Sequence, residues 1–293
     1  MPSSHSAAAL RNAMTVDVED YFQVSAMEPY VARADWDHRP LRVERNTETV
    51  LKMFSDAGIQ ATFFTLGWVA ERCPALVRRI VDNGHELASH GYEHIRAHQQ
   101  SREQFAADVR KTKTLLEDMA GVAVTGYRAA SYSISRSNLW ALDELAAAGY
   151  RYSSSIYPVK HDLYGIPDAP RHAFFPLRAR SLLEVPVTTA QFGGHNIPAG
   201  GGGFFRLFPY CLSRALINRV NQRDQMPAVF YFHPWEIDPE QPRPAQLDMR
   251  TRIRHYLNLN RMAPRLQRLL TDFRWGRMDD IFLSQPAPTI DLH

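Results

Sequence analysis

The sequence predicts an α/β fold in which parallel strands are joined by crossover helices. Strand-like apolar runs alternate with helical patterns about seven times along the chain, which is the signature of successive βα units. Gly or Pro marks many of the junctions. The chain has 293 residues, 45% of them hydrophobic, enough for one full core, and no linker divides it. A single barrel is comfortable at this length.

Residues 14–18 read as the first strand, which runs into the acidic stretch Asp17-Val18-Glu19-Asp20. Residues 43–57 read as a helix, with Val43, Val50, Leu51 and Phe54 on one side and Gly58 as the stop. Residues 61–66 form the second strand. A helix over 74–82 starts with Pro74 and ends at Asn83-Gly84, before a strand at 86–89. The helix over 101–119 is the clearest. Ser101 and Gln104 fit a capping box, Phe105, Val109, Thr112, Leu116 and Met119 follow a 3.6-residue period, and Gly121 stops it. Residues 122–127 are a strand and 138–148 a helix ended by Gly149. Strands at 150–154 and 182–187, a helix at 208–222 and a strand at 228–232 complete the alternation. Residues 250–272 are helical, with a break expected near Pro264. Two stretches interrupt the rhythm, 158–176 and the Gly-rich 191–206, and both read as long loops of the kind that is functional or mobile.

Composition excludes several classes. A net charge of +3, with no long Lys/Arg block, argues against a nucleic-acid partner. No apolar run approaches the length of a membrane span. Residues 1–12 read as a flexible Ser/Ala-rich leader without the apolar core of a signal peptide, so a cytoplasmic location is expected. Cys73 and Cys211 lie outside any C-x-x-C pair and read as reduced, mostly buried thiols.

The chemistry concentrates at the ends of the strands. His90 and His94 stand four residues apart, a spacing that lets two imidazoles on one helical turn point at one ion. Two histidines and a carboxylate form a recurring ligand set for a catalytic metal with open positions. The acids that end the first strand are candidates for the third ligand. Arg128 and Ser131 follow the fourth strand, Glu184 lies in a later one and His233 ends the last. In a parallel barrel the C-terminal ends of the strands share one face, so these groups can converge.

In order, the segments Thr15-Val16-Asp17-Val18-Glu19-Asp20, Ala61-Thr62-Phe63-Phe64, Gly84-His85-Glu86-Leu87-Ala88-Ser89-His90 with His94, and Gly126-Tyr127-Arg128-Ala129-Ala130-Ser131 resemble the polysaccharide deacetylases of carbohydrate esterase family 4. The resemblance runs from about residue 14 to 236. Phe232-His233-Pro234-Trp235 and residues 200–206 resemble the subgroup encoded beside exosortase (PEP-CTERM) exopolysaccharide loci, which carries a C-terminal extension. The resemblance implies a distorted (β/α)7 barrel over residues 13–285, with the extension at about 240–285 and a tail at 286–293. It implies hydrolysis of N-acetyl groups from amino sugars of an exopolysaccharide or its precursor. It also implies one divalent metal, usually zinc, with cobalt or nickel as alternatives.

The family's first motif normally has adjacent aspartates, and this chain departs from it. Asp17 fits the catalytic base. The metal acid is then Glu19 or Asp20, and Glu19 is preferred because side chains i and i+2 of a strand share a face. His90 and His94 match the two histidine ligands, and Arg128 matches the arginine that orients the base. The backbone N–H of Ser131 matches the oxyanion donor, where the family usually has Pro and Tyr after the Arg. His233 matches the catalytic acid. Tyr132, Trp235, Arg206 and Glu184 are the expected substrate contacts, and Glu184 also loosely matches the acid that supports the catalytic histidine. Two rival readings accompany this one: an O-acetyl esterase or cyclic-amide hydrolase on the same metal site, and a glycan-binding barrel without catalysis.

Overall fold

The computed structural model describes residues 10–161 and 164–292. Its centre is a curled parallel sheet with strand order β10-β1-β2-β3-β4-β5-β7. These strands are β1 (Arg11–Val18), β2 (Thr62–Thr65), β3 (Glu86–Ser89), β4 (Gly126–Tyr127), β5 (Tyr152–Ser153), β7 (Leu183–Glu184) and β10 (Val229–Phe232). They form a distorted, open (β/α)7 barrel. β11 (Arg274–Gly276) extends the sheet beside β1, and β6 (Phe175–Pro176) pairs with β12 (Thr289–Ile290). β1 is central, flanked by β2 on one side and by β10 and β11 on the other. Burial on both faces explains why Ala13 to Val18 read as a run of mostly apolar residues rather than an alternation.

Helices α1 (Val43–Asp56), α2 (Gly67–Arg72), α3 (Pro74–Asp82), α4 (Arg102–Ala120) and α5 (Trp140–Ala147) make the crossovers of the first five strands. α4 has both bonds of its capping box, and Gly121 closes it at φ 67°. Among the described residues between β5 and β7 there is no α-helix. Between β7 and β10 the expected Gly-rich loop is a hairpin, β8 (Thr189–Phe192) and β9 (His195–Pro198), followed by α6 (Gly202–Leu207) and α7 (Tyr210–Arg219). Gly193 and Gly194 turn it with φ of 52° and 83°, a conformation that glycine adopts without strain. The segment after β9 bridges the open side of the barrel, where Tyr231 donates its N–H to the Gly200 carbonyl at 2.7 Å.

α8 (Met249–Tyr256), α9 (Leu259–Asp272) and α10 (Met278–Phe282) finish the chain. The helical break falls at Asn258 (φ 53°), not at Pro264, which lies inside α9. Arg206 explains the position: it donates to the carbonyls of His255 and Leu257 and so terminates α8, while Asn258 Nδ2 returns a bond to the Arg206 carbonyl. The ends also differ from expectation. Arg11 and Asn12 belong to β1, with Asn12 buried and bonded to Asn221, and residues 1–9 of the expected leader lie outside the described residues. Within the expected tail, Thr289–Ile290 is a strand. Cys73 is a buried free thiol, but Cys211 is exposed on α7. Among the described residues no helix is long and apolar enough to cross a membrane.

Candidate metal and catalytic site

The register of the sheet brings the strand ends into one layer. Asp17 pairs with Phe64, Val16 with Phe232, Thr65 with Ser89 and Ser89 with Tyr127. Asp17 and Glu19, His90, Arg128 and His233 therefore leave neighbouring strands at the same end of the barrel. Glu19 lies just past β1, where its N–H folds back to the Asp17 carbonyl at 3.0 Å.

Ligand atoms of Glu19, His90 and His94 all lie within 4.8 Å of one another, and all three residues are buried. The histidines meet by a route other than the expected helical turn. Residues 90–96 are irregular, with Gly91 at φ 75° and His94 itself at φ 54°. Their rings nevertheless lie 5.4 Å apart between centroids. His90 Nδ1 sits 2.8 Å from the Arg128 carbonyl, which fixes the proton on that nitrogen and leaves Nε2 free.

Burial holds both imidazoles in the neutral, ligating form: His90 falls to about 4 and His94 lies well below the usual histidine range. Burial also lifts Glu19 to about 8, opposed by the His233 charge. Glu19 Oε2 has no hydrogen-bond partner among the described residues, yet lies 3.0 Å from His94 Nε2. A carboxylate oxygen and a neutral imidazole nitrogen that close need a proton or a cation between them. The donor set thus fits a divalent metal. Asp20 does not join it. Its carboxylate accepts from the backbone N–H groups of Tyr21, Arg42 and Val43 and caps α1, so the alternative to Glu19 loses its support.

Beside this set lies a buried ion pair, with Arg128 Nη1 2.6 Å from Asp17 Oδ1. Arg128 also donates to Thr15 Oγ1, Ser154 Oγ and the Ser154 carbonyl, so its guanidinium is locked. Asp17 Oδ2 faces His233 Nε2 at 3.9 Å, and Glu19 Oε1 lies 3.2 Å from the same nitrogen. Burial works against charge on His233, but Glu19, Glu236 and Asp17 together lift it to about 9.

The acid behind His233 is Glu236, whose Oε2 lies 3.1 Å from Nδ1 and accepts the His233 backbone N–H at 3.0 Å. Burial would raise Glu236, but Arg206 and His233 bring it down to about 2. This partner escaped the sequence reading, although His233-Pro234-Trp235-Glu236 has capping-box spacing. Glu184 does not fill that place. It is buried and accepts the N–H groups of Ser155 and Ile156, pinning the turn after β5. Arg206 is no substrate contact either: it is buried against Glu236 at 2.8 Å and acts on His233 through it.

A cavity of about 190 Å³ opens over these groups. Asp17, Glu19, His90, His94, Ser131, Tyr132, His233 and Trp235 line it as expected. Ser25, Tyr164, Tyr231, Arg254 and His255 also line it, without having stood out in the sequence. Ser131 holds a left-handed turn at φ 52° and is anchored by its hydroxyl to Ser25 at 2.5 Å. Trp235 stacks between His233 and His255, with centroid distances of 5.3 and 4.2 Å. A larger cavity of about 290 Å³ lies elsewhere, between residues 170–173, 185–188, 226–229 and 282–288, and contains none of these groups.

Residues 31–153 match the model of the polysaccharide deacetylase family, and residues 154–283 match a domain of unknown function, DUF3473. Among curated relatives, a peptidoglycan-N-acetylglucosamine deacetylase of Bacillus cereus is 32% identical over 77 residues, 26% of this chain and 28% of that protein. A peptidoglycan deacetylase of Helicobacter pylori is 31% identical over 107 residues, 36% of each. The matches thus span about a third of these relatives' length. A crystal structure from Mycobacterium smegmatis assigned to the polysaccharide deacetylases superposes with a TM-score of 0.62 at 19% identity, covering 100% of this chain and 96% of the other. The segment that supplies His90, His94 and Arg128 therefore matches the polysaccharide deacetylase family model, and the whole chain shares the fold of the Mycobacterium smegmatis structure.

Proposed function

We propose that the chain is a metal-dependent N-deacetylase that removes acetyl groups from amino sugars of an exopolysaccharide or its precursor. The observation that carries this is the buried Glu19–His90–His94 set beside the Asp17–Arg128 pair and His233. Support for N-acetylated glycans comes from the Bacillus cereus relative, which is named a peptidoglycan-N-acetylglucosamine deacetylase. The proximity of residues 200–206 and 232–235 to the exosortase-associated pattern favours an exopolysaccharide.

Glu19, His90 and His94 would hold the ion, for which zinc fits a set of two neutral imidazoles and one carboxylate, with cobalt or nickel as alternatives. When bound, it supplies a Lewis acid for the acetyl carbonyl and lowers the pKa of a water. Asp17 Oδ2 takes the proton of the attacking water, while Oδ1 stays fixed on Arg128. The Ser131 backbone N–H, on a residue that lines the cavity, would take the oxyanion-donor place that the resemblance implies. His233 delivers a proton from Nε2 to the amine nitrogen, which leaves poorly until protonated. Glu236 holds that imidazolium by Nδ1, and Trp235 stacks on its face. Tyr132 and Trp235 offer aromatic surface to the sugar.

Acetate release from N-acetylated chito-oligosaccharides, measured with zinc and after chelation, tests the reading. Release that survives chelation undiminished overturns the metal dependence. Tight glycan binding with no release under Zn²⁺, Co²⁺ or Ni²⁺ overturns the catalytic assignment.

A further inference from the structure

We propose that Arg254, at the mouth of the site, binds an anionic substituent, a carboxylate or a phosphate, next to the sugar being deacetylated, so that the substrate is an acidic glycan. The proposal rests on the deacetylase reading above and deepens it.

α8 brings Arg254 and His255 to the cavity from a part of the chain far from the metal set. Every other charged group around the opening has a protein partner. Asp17 is paired with Arg128, and Glu19 faces His94 and His233. Arg96 and Arg33, which stand near His94, are both turned toward Glu28. Arg206 is buried on Glu236. Arg254 differs: its carbonyl accepts a bond from Arg206, but its exposed side chain has no ion pair among the described residues. A guanidinium without a carboxylate, held over a cavity, offers a planar fork that matches a carboxylate or phosphate with two hydrogen bonds.

The wall of the cavity supplies the rest of a binding surface. Tyr132, Tyr164 and Tyr231 form one aromatic cluster, with Tyr132 centred 4.9 Å from Tyr231 and 6.0 Å from Tyr164. Such faces suit the C–H surface of a sugar ring. The cavity therefore sets an aromatic wall beside a cation that has no ion pair among the described residues. A neutral glycan would use the first and leave the second unanswered; a sugar carrying an anion on the neighbouring residue answers both.

The test measures binding by calorimetry on the full chain carrying Asp17→Asn, which slows turnover of the ligand. Three probes are compared: N-acetylchitotetraose, a tetrasaccharide alternating glucuronic acid with N-acetylglucosamine, and N-acetylchitotetraose bearing an anomeric phosphate. One anionic probe is expected to bind about tenfold tighter than the neutral one, equivalent to about 1.4 kcal/mol. Which one it is identifies carboxylate or phosphate. Arg254→Ala should reduce the advantage to within about twofold, and Arg254→Glu should invert it. Arg252→Ala, on the other side of the same helix, should keep it. Equal binding of all three probes overturns the proposal, as does an advantage that survives Arg254→Ala or disappears equally with Arg252→Ala. Acetate release by the unaltered chain is measured separately. Its failure would overturn the deacetylase reading while the binding preference is still read.

Discussion

Glu19 and Glu86 are both buried acids of the barrel, at opposite ends of its strands, and burial lifts both to about 8. Their surroundings differ. Glu86 Oε1 accepts from the Tyr152 hydroxyl at 2.9 Å, and Oε2 accepts from Thr62 Oγ1 at 2.5 Å and the Asp279 N–H at 3.2 Å. Glu19 Oε2 has no such partner among the described residues, and the carboxylate faces titratable side chains instead, His94 at Oε2 and His233 at Oε1. A raised pKa therefore does not separate a structural acid from a functional one. What separates them is whether the protein has already satisfied the group. The acid at the bottom of the barrel is complete without a ligand; the acid at the top is not.

The largest effect expected from this contrast is on metal content. His90→Ala and His94→Ala should each abolish both bound metal and acetate release, read by elemental analysis and by an acetate assay. Glu19→Gln should weaken metal binding severely, whereas Glu86→Gln should leave metal content unchanged. Metal lost equally from both glutamine variants would break the comparison.

The next effect is on rate. Asp17→Asn keeps the hydrogen bond from Arg128 but removes the base, so kcat should fall about 10²–10⁴-fold with metal retained. Loss of metal from this variant would mean that the roles of Asp17 and Glu19 are exchanged.

The contrast between the two ends also explains what the sequence could reveal. His90, His94, Asp17 and Arg128 sit at the ends of buried parallel strands, and strand-end position is visible in an alternation of apolar runs and helices. Even so, the spacing of His90 and His94 suggested a helical turn, while the chain reaches the same juxtaposition through the left-handed residues Gly91 and His94. The far wall was harder to read. β4, β5 and β7 are two residues long, too short for periodicity to set a register, so Glu184 was placed in the site although it turns to the backbone of Ser155 and Ile156. Arg206 and Glu236 lie 30 residues apart on α6 and the turn after β10, and nothing local announces their pairing. Arg254 reaches the cavity only through the docking of α8, a tertiary outcome without a sequence period.

A smaller effect, on stability, sharpens the comparison at Glu86. Burial, helped by Asp279, places its folded pKa near 8, above the ordinary 4.5 of the unfolded chain. The folded state therefore binds more protons between these values. The stability this group contributes is fully present below about pH 4.5 and is lost as pH rises through about 8. For the metal-free chain, urea unfolding should show a loss of up to about 5 kcal/mol from this group across that window. Glu86→Gln, which imitates the protonated acid, should make the profile shallower, leaving the contribution of Glu19, which burial lifts to a similar value. An unchanged profile in that variant would assign the pH dependence to Glu19 and its neighbours instead.

The smallest effect concerns Asp20, the acid next to Glu19 in sequence. One residue changes the role entirely, because the chain turns after β1 and the Asp20 carboxylate reaches the first N–H groups of α1 at 2.7 and 2.9 Å. Asp20→Asn keeps an acceptor there but removes the negative charge that complements the helix N-terminus. Urea unfolding should show a loss of about 1 kcal/mol, with metal content and kcat unchanged. A variant that lost metal while its unfolding midpoint stayed put would make Asp20 the ligand and Glu19 the bystander. That result would remove the contrast with Glu86, since the unpaired oxygen of Glu19 would then mark nothing.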